Sequence, residues 1–265
     1  MNDTADIYSE RRGEVAWIRL NRPDRMNAYD AEMARQLISE IEGAADAGVI
    51  VITGTGRAFC AGGYLANLQN PDPVALRRMF YGSLHLYEAI RSSPRPVIAA
   101  VNGAAAGGGN ELVVACDLAI AVEEATFGQT GVRIGSAPVL GGTNFLAMSI
   151  GEKRAKEVAF MCRRYKAQEA FELGWINAVV KADQLEEEVT RWADELLQMS
   201  PRYLEIAKIS SNLWWNQSRD NYISGLGMLV QAIGSADMIE GATAFMEKRR
   251  PRFPGRANKQ ADKKK

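Results

Sequence analysis

The 265 residues hold a single histidine, His85. Serine and cysteine triads need an imidazole base, and His85 lies in S-L-H-L-Y-E, an ordinary amphipathic pattern, with no G-x-S-x-G elbow in the chain. Neither C-x-x-C nor H-E-x-x-H occurs, so no metal is expected. Cys60, Cys116 and Cys162 are widely spaced and read as small core residues in a reducing compartment. A net charge is also missing: 32 Lys and Arg balance 32 Asp and Glu, which argues against nucleic acid as a partner. No apolar run approaches the roughly 18 residues of a membrane span, and the first residues lack a charged-then-apolar signal pattern. The expectation is a cytoplasmic protein without membrane partners.

What is present is material for a core. Hydrophobic residues make up 47% of the chain, enough for one large domain. Val15 to Leu20 alternates as a strand. Asp30 is placed to cap a helix in which Met33, Leu37 and Ile41 recur every fourth residue. Val49 to Thr53 is a continuous apolar run, as in a strand buried on both faces. Helices are predicted over 74–91, 152–162, 167–173, 183–198, 202–216, 219–234 and 237–248, with a strand from Ile176 to Val180. Strands alternate with helices early and helices dominate late: an α/β chain. The predicted divisions are a core over 1–195, a helical region over 196–253 and a polar, basic, disordered tail over 254–265.

The chain is organised around P-V-I-A-A-V-N-G-A-A-A-G-G-G-N-E-L, residues 96–112. A buried strand runs into a glycine turn that opens a helix, which presents bare N–H groups at the positive helix end. A second glycine turn, R-A-F-C-A-G-G-Y, follows the strand at 49–53. If the two turns converge, the N–H groups of Ala61 and Gly108 cradle one oxygen that gains charge during reaction. Glu111 follows within a few residues, in an apolar run. Burial raises its pKa and the helix end lowers it, so it is placed either to move protons or merely to complement the dipole.

Together with N-R-P-D-R-M-N-A (21–28), D-L-A-I-A (117–121), F-G-Q-T-G (127–131) and E-G-A-T-A-F-M-E-K-R-R-P-R-F (240–253), these segments resemble the crotonase, or enoyl-CoA hydratase/isomerase, superfamily. The resemblance implies a spiral of strand–strand–helix turns with a helical C-terminal trimerisation region, and a homotrimer or a hexamer of two trimers. It implies an acyl-CoA substrate, no cofactor beyond its CoA moiety, and a thioester enolate held by the hole at Ala61 and Gly108. Arg25, Asn27 and Ala28 fall where the family contacts CoA, and Lys248 is a further candidate for a CoA phosphate, across a subunit interface.

The departures bear on the reaction. Simple hydratases carry a second glutamate where this chain has Gly131. The segment 127–136 with C-R-R-Y (162–165) is similar to dihydroxynaphthoyl-CoA synthase, but that enzyme's later aspartate is absent and Glu111 stands where it is non-acidic. Glu111 with Gly135-Ser136-Ala137 and Gly141-Gly142-Thr143-Asn144 is closer to alicyclic ring-opening hydrolases, and Tyr64 replaces a usual aspartate. The leading expectation is therefore hydrolytic ring opening of an alicyclic keto- or enoyl-CoA, with Glu111 as base and Tyr64, Ser136 and Asn144 orienting water or ketone. Dieckmann-type closure, plain hydration and a non-catalytic acyl-CoA-binding scaffold are the alternatives.

Overall fold

The computed structural model describes residues 5–64 and 71–254, so the basic tail expected after Pro254 lies outside the described residues. The strands are β1 (Ile7–Arg12), β2 (Val15–Leu20), β3 (Val49–Gly54), β4 (Ala58–Cys60), β5 (Val97–Val101), β6 (Ala104–Ala106), β7 (Leu118–Val122), β8 (Thr126–Gly128), β9 (Tyr165–Lys166) and β10 (Ala178–Val180). The helices are α1 (Ala31–Gly43), α2 (Pro73–Ser92), α3 (Gly108–Ala115), α4 (Phe145–Ile150), α5 (Glu152–Met161), α6 (Ala167–Glu172), α7 (Leu185–Leu197), α8 (Pro201–Ser211), α9 (Leu213–Gln231) and α10 (Ala236–Met246).

Two sheets are woven from one repeated step. The larger has the order β1-β2-β3-β5-β7-β10, and the smaller β4-β6-β8-β9. Each of β3, β5 and β7 lies in the large sheet and hands the chain to β4, β6 or β8 in the small one. After β4 and β6 the chain enters α2 and α3. This is the spiral of strand–strand–helix turns. The central strands are parallel, with Ile50 opposite Val97 and Ile98 opposite Leu118. Their residues are β-branched or small because helices cover one face and neighbouring turns the other; Val51, Ile52, Ile98 and Ala99 are wholly buried. Each large side chain so buried contributes roughly 1.5–3 kcal/mol.

Asp30 caps α1 as expected, its carboxylate accepting from Met33 N at 2.9 Å. Other boundaries moved. The strand expected over 176–180 is shortened to Ala178–Val180, and β1, whose I-Y-S-E-R-R is mostly polar, exists because it pairs antiparallel with β2. The break expected near residue 217 falls at Asn212, whose side-chain amide donates to Arg91 O at 2.9 Å. A contact 121 residues away fixes that joint.

Lys208 on α8 fastens the C-terminal helices to the spiral. Its ammonium donates to Ile90 O, Arg95 O and Asp117 Oδ2 at 2.9, 2.8 and 2.7 Å. Asp117 Oδ2 also accepts from Val97 N. Lys208→Met strands a carboxylate and two carbonyls, so urea unfolding should show a loss of about 3 kcal/mol.

Candidate active site

Residues 22–28 are tied to the glycine turn that follows β4. Asn27, fully buried with φ +56°, accepts from Arg22 N at 2.9 Å and donates to Thr55 O and Ala58 O at 2.9 and 2.7 Å. Its carbonyl accepts from Cys60 Sγ at 3.1 Å. The Asn27 side chain is thus a structural pin, not a CoA contact. Asn27→Ala leaves a buried N–H and carbonyls short of partners in a left-handed conformation that asparagine tolerates better. Thermal unfolding should register about 3 kcal/mol lost.

The same pinning corrects the expectation for the hole. Ala61 N–H donates to Met26 O at 2.9 Å and is spent. Gly62 N–H is directed at Cys60 Sγ, 3.3 Å away, and Tyr64 N–H at Tyr29 O, 2.9 Å away. Gly63 N–H, between them, has no acceptor among the described residues, and Gly63 lines the cavity. Gly63 thus takes the place assigned to Ala61, which lines the cavity without offering its amide.

Gly108 opens α3, and its N–H likewise has no acceptor among the described residues. Two glycines let the two turns meet. A Cβ on Gly62 (φ +92°) would stand 2.7 Å from Gly108 N, and one on Gly109 would fall 2.0 Å from Cys60 O. No side chain fits at either contact.

Glu111, one turn into α3 and 6% exposed, lines the same cavity. Its Oε1 accepts from Leu140 N and Gly142 N, both at 3.0 Å. Burial pushes the carboxyl up to about 7, against the pull of those two amides. A carboxyl near 7 both accepts and returns a proton at neutral pH. Two open amides and a poised carboxyl around one cavity suit acyl chemistry that passes through an oxyanion.

The sequence model of the enoyl-CoA hydratase/isomerase family matches residues 10–256. The chain belongs to that family. Among solved structures, an enoyl-CoA hydratase from Mycobacterium avium subsp. paratuberculosis K-10 is similar at 29% identity, covering 94% of this chain and 98% of the other, with a TM-score of 0.85. An enoyl-CoA hydratase from Bacillus anthracis is 33% identical over 95% and 100%, TM-score 0.76. An enoyl-CoA hydratase subunit from Geobacillus kaustophilus HTA426 is 35% identical over 96% and 100%, TM-score 0.74. The chain is accordingly an acyl-CoA enzyme of the enoyl-CoA hydratase/isomerase type.

The remaining sequence candidates fall at different distances from the cavity of this family member. Ser136 lines it. Arg25 stacks on Tyr64, the guanidinium carbon 4.7 Å from the ring centroid, in the turn leading away from Gly63. Ala28 is buried beside Tyr29 and does not line the cavity. Asn144 does not line the cavity: its Oδ1 accepts from Phe145 N at 2.9 Å at the start of α4. Lys248 is exposed beyond α10 and lines no part of the cavity. Gly131 lines it where hydratases carry the second glutamate, and a Cβ there would press on the Ala137 backbone at 3.1 Å.

Sequence reading missed Gly63, Tyr29, Ser83 and Gln129 in the lining. Gln129 is 1% exposed, and neither end of its amide has a partner among the described residues.

Proposed function

We propose that this chain adds water to an acyl-CoA thioester through an enolate, with Glu111 as its single acid–base group. Glu111 takes a proton from water as oxygen attacks the β-carbon of an α,β-double bond. The π electrons move to the thioester oxygen, held by the Gly63 and Gly108 N–H groups. The enolate then collapses and Glu111 delivers its proton to the α-carbon, so one carboxyl closes the cycle. The observation that carries this reading is Glu111 in the same cavity as the two unpaired amides.

Gly131 favours a second reading. A water-activating pair is missing, and hydrolytic opening of a ring ketone uses one base: water adds to the ketone, the ring C–C bond breaks, and its electrons enter the thioester. Incubation with linear enoyl-CoA, cyclic enoyl-CoA and ketocyclohexane-CoA esters separates the two. Both reactions add one water by mass, but only ring opening creates a new carboxylate carbon in the 13C spectrum. A water adduct without that carbon supports hydration; the carboxylate carbon supports ring opening, and no adduct with any ester overturns both.

The CoA moiety would pass Arg25, and a homotrimer or hexamer is supported by the apolar side chains exposed around α9 and the end of α5: Met228, Phe160 and Met161 are 67, 62 and 52% exposed. A groove beside them is lined by Val132, Val139, Met238 and Phe253. Lys248, just before Arg250 in the lining of that groove, is the candidate for a CoA phosphate across such an interface.

A further inference from the structure

One corner of the cavity carries oxygen atoms that the mechanism above does not use. Tyr29, from the N-A-Y-D turn before α1, and Ser83, on α2, both line it. Tyr29 Oη lies 2.7 Å from Tyr87 Oη and 3.1 Å from Ser83 Oγ. Tyr87 donates to Gly108 O at 2.8 Å, and Ser83 to Met79 O at 3.1 Å. The cluster abuts the hole itself, since a Cβ on Gly108 would fall 2.5 Å from Tyr29 Oη.

Counting protons gives this cluster a polarity. Three hydroxyls hold three protons. Ser83 donates to Met79 O throughout. Tyr87 either donates to Gly108 O, with Tyr29 donating to Ser83 or to Tyr87, or it donates to Tyr29, which then donates to Ser83. Each of these three arrangements uses every proton inside the cluster. What remains for the cavity is lone pairs on Tyr29 and Ser83. Desolvation raises the Tyr29 phenol well above its ordinary range, so it neither ionises nor serves as an acid at neutral pH. Its part is recognition.

We propose that Tyr29 and Ser83 accept a hydrogen bond from a hydroxyl that the acyl group brings with it, so that the substrate is a hydroxylated acyl-CoA. This deepens the acyl-CoA reading and rests on it. A hydroxyl adds a bond without disturbing the cluster, a ketone or ether oxygen gains one only by drawing the Tyr29 proton away from Ser83 or Tyr87, and a plain hydrocarbon leaves buried lone pairs dry. An ammonium fits less well, because Glu111 is the only carboxylate in the lining among the described residues and burial raises its pKa towards neutrality. The unpartnered Gln129 amide in the same wall is a second sign that the acyl group is polar.

The test is calorimetric binding of CoA esters that lack the reacting double bond. The set comprises benzoyl-CoA, its three hydroxy isomers and the matching methoxy esters, which keep the oxygen but lose the proton. The wild-type protein should prefer one hydroxy isomer over both benzoyl-CoA and its methoxy counterpart by about tenfold or more. In Tyr29→Phe that ratio should fall towards one through loss of the hydroxy ester alone, with benzoyl-CoA affinity within about twofold of wild type. Ser83→Ala should narrow the ratio in the same direction, and it guards against a Tyr29→Phe variant that fails to fold. Equal binding of hydroxy, methoxy and unsubstituted esters by the wild type would overturn the inference while leaving the acyl-CoA reading intact. So would a preference that survives Tyr29→Phe. Failure to bind any CoA ester would overturn both.

Discussion

Glu111→Gln should lower kcat by about 1000-fold while the affinity for a CoA ester stays within a few-fold of wild type. The amide keeps the shape of the carboxyl and can still accept from Leu140 N and Gly142 N, so the fold has no reason to yield. What disappears is the capacity to take a proton from water and give it back. Wild-type kcat/KM should carry the same signature in its pH profile. The group must be ionised to act as base in the free enzyme, and burial sets its midpoint at about 7. The profile should therefore rise about tenfold per pH unit below that value and level off above it. Stopped assays across the range, on the wild type and Glu111→Gln, check both statements. Retained turnover in the glutamine variant removes Glu111 from the chemistry.

Gly109→Ala is expected to be as damaging without touching a single reacting group. A methyl there would lie 2.0 Å from Cys60 O, 2.6 Å from its carbonyl carbon and 2.9 Å from its Cβ. None of these is the end of a flexible side chain. Either α3 or β4 must move, and each carries one half of the hole. A stability loss of about 3 kcal/mol or more is expected, at the upper end for overpacking. Soluble variant protein should also lose most of its turnover, since a displacement of an ångström at a donor costs on the order of 100-fold. Chemical unfolding together with kcat on the same preparation tests it; near-normal values of both would show that the turns tolerate separation.

The glycine turn over 102–109, the strand before it and the carboxylate after it were legible because each is a local pattern: an apolar run, a break, a helix start. The cap at Asp30 was legible for the same reason. Which amide of the other turn stays open was not. Ala61 and Gly63 look equally suitable in C-A-G-G, and the choice is made by Met26 O, which arrives from 35 residues earlier and takes the Ala61 N–H. Asn144 depends on its surroundings in the same way. A carboxamide in a glycine-rich segment looks wholly available until α4 begins at the next residue and takes its oxygen as a cap. Tyr29 gave no local signal, since it sits just before the α1 cap and reaches the cavity only because α2 lies across it with Ser83 and Tyr87.

Gly131 carries a consequence for building a second carboxylate into this site. The backbone it rests on, at Ala137, belongs to the same loop whose amides at Leu140 and Gly142 hold Glu111. A side chain at 131 would set its Cβ 3.1 Å from Ala137, so that backbone has to give by a few tenths of an ångström. A newcomer at 131 therefore bears on the seat of the carboxylate already in place, and the two positions have to be designed together.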